Sequence, residues 1–130
     1  MQQLVRQTTL PVIAAGGIID GAGVAAVLRL GARAVQIGTA YLAAPESLIA
    51  GAFRDLLGTP VAADAAFTNL FSGREARGIR NRLMRDLGAI RPEVPAFPYG
   101  SNALAPLRVK AEAEGRGDYS PLWAGAGADR

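Results

Sequence analysis

The first strong feature of the apolar pattern is the continuous run Leu10-Pro-Val-Ile-Ala-Ala-Gly-Gly-Ile-Ile19. An uninterrupted apolar stretch that meets paired glycines fits a strand covered on both faces, as in a parallel sheet. Asp20 follows as a candidate N-cap. Val24, Val27, Leu28 and Leu30 then recur at helical spacing over Gly23–Leu30, and Gly31 is placed to end the helix. Ala34 to Gly38 (Ala-Val-Gln-Ile-Gly) reads as a second short buried strand. Strand, short helix and strand with tight connections make a βαβ unit, so the two strands are expected side by side and parallel.

Beyond Gly38, Thr39 to Ala44 is expected to form a single helical turn. A helix is predicted over Glu46 to Leu57, entered through Pro45, with Leu48, Ile49, Phe53, Leu56 and Leu57 on its apolar face and Gly58-Thr59-Pro60 as its stop. Ala66 to Phe71 reads as a strand closed by Ser72-Gly73. Arg74 to Leu87 reads as a charged helix, because Ile79, Leu83 and Leu87 stand four apart. Three prolines make Arg91 to Asn102 a loop, Leu104 to Glu114 is a predicted helix ended by Gly115, and the small, polar tail from Gly125 is expected to fray. There is no internal repeat. The chain has the length of one ordinary domain, with both glycine-ended strands in residues 1–60 and a further segment in 61–130.

Composition narrows the chemistry. Half of the 130 residues are hydrophobic, aromatics are few and glycine reaches 16, a balance suited to close helix–strand packing in an α/β fold. Cysteine and histidine are both absent, which removes disulfides, thiolate metal sites and the commonest general base. No metal site is expected. Nothing approaches the roughly 18-residue apolar run that spans a bilayer, and the polar start has no signal-peptide core, so a cytoplasmic protein without a membrane partner is expected. The net charge of +3 is small. Arg74, Arg77, Arg80, Arg82 and Arg85 cluster without interleaved aromatics, and read as solvated or salt-bridged groups rather than a nucleic-acid surface. Ser72 has no histidine to activate it, which excludes a Ser-His hydrolase. Tyr99 and Trp123 read as packing residues and Asp20 as a cap.

The candidate chemistry lies where the two strands end, at Gly16-Gly17 and at Gly38-Thr39. Glycine lets a backbone approach an anion closely and adopt positive φ. Free N–H groups can then point at a phosphate, and the Thr39 hydroxyl can add a hydrogen bond. In parallel barrels the last two strand-to-helix loops often form such a site. The pattern equally fits glycines that only make tight turns, and it does not distinguish among phosphate-binding barrels.

Pro11-Val-Ile-Ala-Ala-Gly-Gly-Ile-Ile-Asp-Gly-Ala-Gly23 and Leu30-Gly-Ala-Arg-Ala-Val-Gln-Ile-Gly-Thr39 resemble the seventh and eighth strands of nitronate monooxygenases, also called 2-nitropropane dioxygenases. Ala66–Arg82, Phe97–Asn102 and Leu122–Gly125 resemble later stretches of the same family. The resemblance implies the C-terminal part of a flavin-binding (β/α)8 TIM barrel, namely its last two strands and a C-terminal segment. It further implies that Gly17, Gln36, Ile37, Gly38 and Thr39 contact the FMN phosphate, with Gly16 a weaker candidate that shapes the turn. The family oxidises alkyl nitronates with O2 through the flavin, giving a carbonyl compound and nitrite. Its histidine-bearing Ala-Gly-Gly-His motif lies upstream of the seventh strand and is not found here, and Gly125-Ala126 stands where a Gly-Gln pair is expected. A whole barrel needs about 250 residues, so the isolated chain is expected to be inactive and to self-associate through exposed barrel edges. Two alternatives remain at this point: a related flavin-barrel enoyl-acyl-carrier-protein reductase, and a non-catalytic remnant.

Overall fold

The computed structural model describes all 130 residues. The chain forms two units, Met1–Ser47 with Gly125–Gly127 and Leu48–Ala124 with Ala128–Arg130.

The first unit begins with α1 (Gln2–Gln7), an exposed helix with no counterpart in the apolar pattern. It is followed by β1 (Ile13–Ala15), α2 (Gly21–Arg29), β2 (Ala34–Gln36) and the single turn α3 (Thr39–Leu42). β1 and β2 pair in parallel, with Ile13, Ala14 and Ala15 opposite Ala34, Val35 and Gln36. A bond from Arg33 N–H to the Val12 carbonyl (2.8 Å) extends the pairing. The sequence pattern therefore anticipated this βαβ unit, although both strands are shorter than the apolar runs that contain them. Asp20 caps α2, its Oδ1 accepting from Gly23 N–H at 2.7 Å, a contact worth about 1 kcal/mol. Gly31 ends the helix at φ +97°, where a Cβ would lie 2.8 Å from Val5 Cγ1. Conformation and close packing thus both select glycine there.

The second unit contains α4 (Gly51–Arg54), a 3-10 turn at Pro60–Ala63, β3 (Ala65–Thr68), β4 (Ala76–Ile79), α5 (Arg82–Leu87), a second 3-10 turn at Tyr99–Ser101 and α6 (Ala105–Ala113). β3 and β4 form an antiparallel hairpin. Its core gathers Leu70, Phe71, Leu83 and Met84, with Val94, Leu104, Tyr119 and Trp123 packed around them. Phe71 and Trp123 meet edge to face, with ring centres 5.7 Å apart.

Three expectations are corrected. The helix predicted over Glu46–Leu57 is only the four residues of α4. Ala50 is extended (φ −57°, ψ 145°), Leu48 is fully exposed, and of the expected apolar face Phe53 alone is buried. The helix predicted over Arg74–Leu87 is instead β4 followed by α5. The spacing of Ile79, Leu83 and Leu87 mimicked a stripe, but Gly78 weakens a helix interior and here admits a neighbouring chain segment. A Cβ on Gly78 would stand 2.9 Å from the Leu122 carbonyl oxygen, and Ile79 N–H donates to that same oxygen. Asn81 then starts α5, its side-chain oxygen accepting from Met84 N–H. Finally, the tail does not fray: Gly125 N–H is hydrogen-bonded to Thr39, and Ala128 is buried.

Candidate functional site

The site is built at the end of the βαβ unit, where both strands run out into glycine. Strand alternation puts Ile13, Ala15, Ala34 and Gln36 on an exposed face and Ala14 and Val35 on the face toward α2. After Ala15 the chain turns through Gly16 (φ +92°) and Gly17 (φ +69°), conformations that cost most side chains energy. Gly38 follows β2 by two residues and leads straight into α3. No Cβ on Gly16 or Gly38 would meet a neighbour within 4 Å, so the space in front of both is open.

That space is a cavity of about 250 Å³, lined by Ala15, Gly16, Gly17, Ile18, Ile19, Gln36, Gly38, Thr39, Gly125 and Ala126. Four of the five expected site residues (Gly17, Gln36, Gly38 and Thr39) surround it. Ile37 is half-buried and not part of the lining, since alternation turns its side chain to the face shared with Val35. The weaker candidate Gly16 is also in the wall. Sequence reasoning missed Gly125 and Ala126, which no local pattern links to a strand end more than 80 residues earlier (|i−j| = 86 for Gly125 and Thr39). Thr39 Oγ1 accepts a hydrogen bond from Gly125 N–H at 2.9 Å.

The electrostatics are those of a backbone site. None of the lining residues is charged. The N–H groups of Gly17 and Gly38 donate to no acceptor in the chain and remain available. α3 is a single turn, so its dipole adds little, and the attraction for an anion comes from individual N–H groups and the Thr39 hydroxyl. Nowhere do three His, Cys, Asp or Glu side chains gather as a metal cluster.

The arginines separate into local roles. Arg77 donates to the Ala124 carbonyl at 2.8 Å, Arg80 and Arg85 both pair with Asp64, and Arg82 pairs with Asp86. The hydrogen bond that Arg82 donates to the Asp86 carboxylate holds the pKa of its guanidinium above the usual value. Arg74 lies over the Phe97 ring, 5.3 Å from its centre. A second cavity, of about 330 Å³, is walled by apolar side chains such as Leu70, Leu83, Val94 and Leu104, with Arg91 and Glu93 in its lining paired to each other. No helix is long and apolar enough to cross a membrane.

The family model for nitronate monooxygenase matches residues 1–130. A nitronate monooxygenase of Pseudomonas aeruginosa is 46% identical over 126 residues, covering 96% of this chain and 36% of that protein. A probable nitronate monooxygenase of Bacillus subtilis is 41% identical over 119 residues, covering 92% and 34%. Among solved structures, nitroalkane oxidase from Streptomyces ansochromogenes superposes with a TM-score of 0.87 at 40% identity, covering 98% of this chain and 36% of that one. FabK from Thermotoga maritima gives 0.75 at 31%, covering 98% and 40%. The chain spans about a third of the length of the curated relatives it matches. On these matches, and with an α/β fold in common, the chain belongs to the nitronate monooxygenase family of oxidoreductases.

Proposed function

We propose that this chain forms the last two strands and the C-terminal segment of a flavin-binding (β/α)8 barrel, and that it supplies the FMN-phosphate site. The observation that carries this reading is the uncharged, glycine-walled cavity where β1 and β2 end, with free backbone N–H groups and Thr39 at its edge. A terminal phosphate fits those donors, since each N–H can meet one anionic oxygen without a side chain intervening. Gly17, Gly38 and Thr39 would hold the phosphate. The Gln36–Thr39 segment, Ile37 included, would supply the backbone that fixes its position, and Gly16 would set the turn.

In the whole protein the proposed reaction is oxidation of an alkyl nitronate by O2 to a carbonyl compound and nitrite. FMN, when bound, supplies the electron transfer between nitronate and O2. This chain's contribution is to orient the cofactor through its phosphate. It offers no histidine as a general base. The isolated polypeptide should therefore release no nitrite from propionate 3-nitronate above a blank of free FMN and O2.

The test of the site is Gly17→Val in the longer protein. A β-branched side chain is disfavoured at φ +69° and would crowd the phosphate. Flavin content after purification should collapse; retention of full flavin would refute the assignment. Steady consumption of NADH or NADPH by the same protein would favour the reductase alternative over the nitronate reading.

A further inference from the structure

We infer that the Gly125-Ala126-Gly127 turn is a third wall of the phosphate cavity, and that Thr39 is the residue positioning it. This rests on the reading of the cavity as a phosphate site, but concerns residues that neither strand motif contains.

Three contacts place the turn across the mouth of the glycine loop. Gly125 N–H donates to Thr39 Oγ1 at 2.9 Å, and a Cβ on Gly125 would lie 3.3 Å from that oxygen. A Cβ on Gly17 would stand 3.7 Å from the Ala126 Cβ, so the Ala126 methyl faces Gly17. Gly127 has φ +83°, and a Cβ there would meet Ile19 Cγ2 at 3.2 Å. Gly125 and Ala126 line the same cavity as Gly16, Gly17, Gly38 and Thr39.

The hydrogen-bond bookkeeping then gives Thr39 a definite task. A hydroxyl has one proton and two lone pairs. Because Oγ1 accepts from Gly125, one lone pair is committed to the tail, while the proton has no acceptor within the chain. It is free to donate into the cavity. Thr39 therefore acts twice: it holds the tail against the loop and offers a hydroxyl donor to a phosphate oxygen. Ala126 N–H also has no acceptor in the chain and joins the available donors. The ligand class is a terminal phosphate monoester, held by dipoles with no cationic side chain in the wall.

The test is amide-resolved NMR of the full chain, titrated separately with FMN, riboflavin and inorganic phosphate. The amides of Gly17, Gly38, Thr39 and Gly125–Gly127 should shift together with one apparent Kd for FMN, and in the same direction with phosphate. Riboflavin, which lacks the phosphate, should leave them in place. Thr39→Val should weaken FMN at least tenfold and abolish the response of Gly125–Gly127 while Gly17 still responds, and Thr39→Ser should restore both. Ala126→Glu should weaken FMN at least tenfold by placing a like charge in the wall. Shifts at Gly17 and Gly38 with a silent tail would overturn the inference and leave the phosphate site standing. Silence everywhere with FMN and with phosphate would overturn both.

Discussion

The two units of the chain bury their side chains very differently. In the first, which carries the cavity, the only buried hydrophobic residues are Ala14 and Ala32. In the second, Phe53, Leu70, Phe71, Ile79, Leu83, Met84 and Leu122 are all buried. Burying a leucine or phenylalanine contributes roughly 1.5–3 kcal/mol, and an alanine far less. The candidate cavity thus sits on the unit with the weaker internal core. Its precision comes from backbone devices (the Asp20 cap, the positive-φ glycines, the Thr39–Gly125 bond) rather than from packing mass. Its outward surface is correspondingly apolar, with Leu10 73% and Ile13 60% exposed. Such a surface favours self-association of the isolated chain, which we propose as its behaviour in solution.

The largest expected effect tests the stronger side of this contrast. Buried Asn81 donates to the Gly117 and Ser120 carbonyls and accepts from Met84 N–H. Asn81→Leu strips a buried carbonyl of its donor and uncaps α5, which should cost about 3–5 kcal/mol. Trp123, the only tryptophan, lies in this unit and reports the loss as a lowered unfolding midpoint by fluorescence. An unchanged midpoint would mean that Asn81 does not hold the core. Next, amides of the thin unit (Ala14, Val35) should exchange with deuterium at least about a hundredfold faster than those of Ile79 and Met84. Equal protection would break the comparison itself. Gly73→Ala should follow at about 2 kcal/mol, because Gly73 has φ +82° and a Cβ there would stand 2.6 Å from Phe97 N. The smallest effect sharpens the other side. Asp20→Ala should cost about 1 kcal/mol, seen as faster exchange confined to α2.

The βαβ unit was legible because every signal for it is local. The apolar runs, the Asp20 cap and the Gly31 stop lie within 30 residues and agree with one another, and the Leu104–Glu114 pattern forecast α6 to within a residue for the same reason. β4 was illegible because nothing in Ala-Arg-Gly-Ile marks a strand without its partners. It is fixed by β3 on one side and, on the other, by Leu122 and Ala124, whose backbone groups bond to Ile79 and Arg77. The predicted Glu46–Leu57 helix failed because Ala50 is extended and interrupts it, which leaves only Gly51–Arg54 helical and Phe53 as its one buried apolar residue. As parts of the cavity wall, Gly17, Gly38 and Thr39 could be picked out from strand ends, and Gln36 from the family resemblance. Gly125 and Ala126 could not, since their place depends on a single long-range hydrogen bond in a stretch that reads as a loose tail.

The uncharged lining of the cavity has a consequence for ionic strength. Charged side chains that pair with phosphate release counterions, and their attraction fades as salt screens it over about 8–10 Å. Backbone N–H dipoles act only at contact, inside that distance, so added electrolyte has little to screen. A phosphate held here should lose less than about twofold in affinity between dilute buffer and physiological salt. With no charged group in its wall, the cavity adds little of its own to the pull of the chain's net charge of +3, so retention of an anion would rest on the glycine backbone.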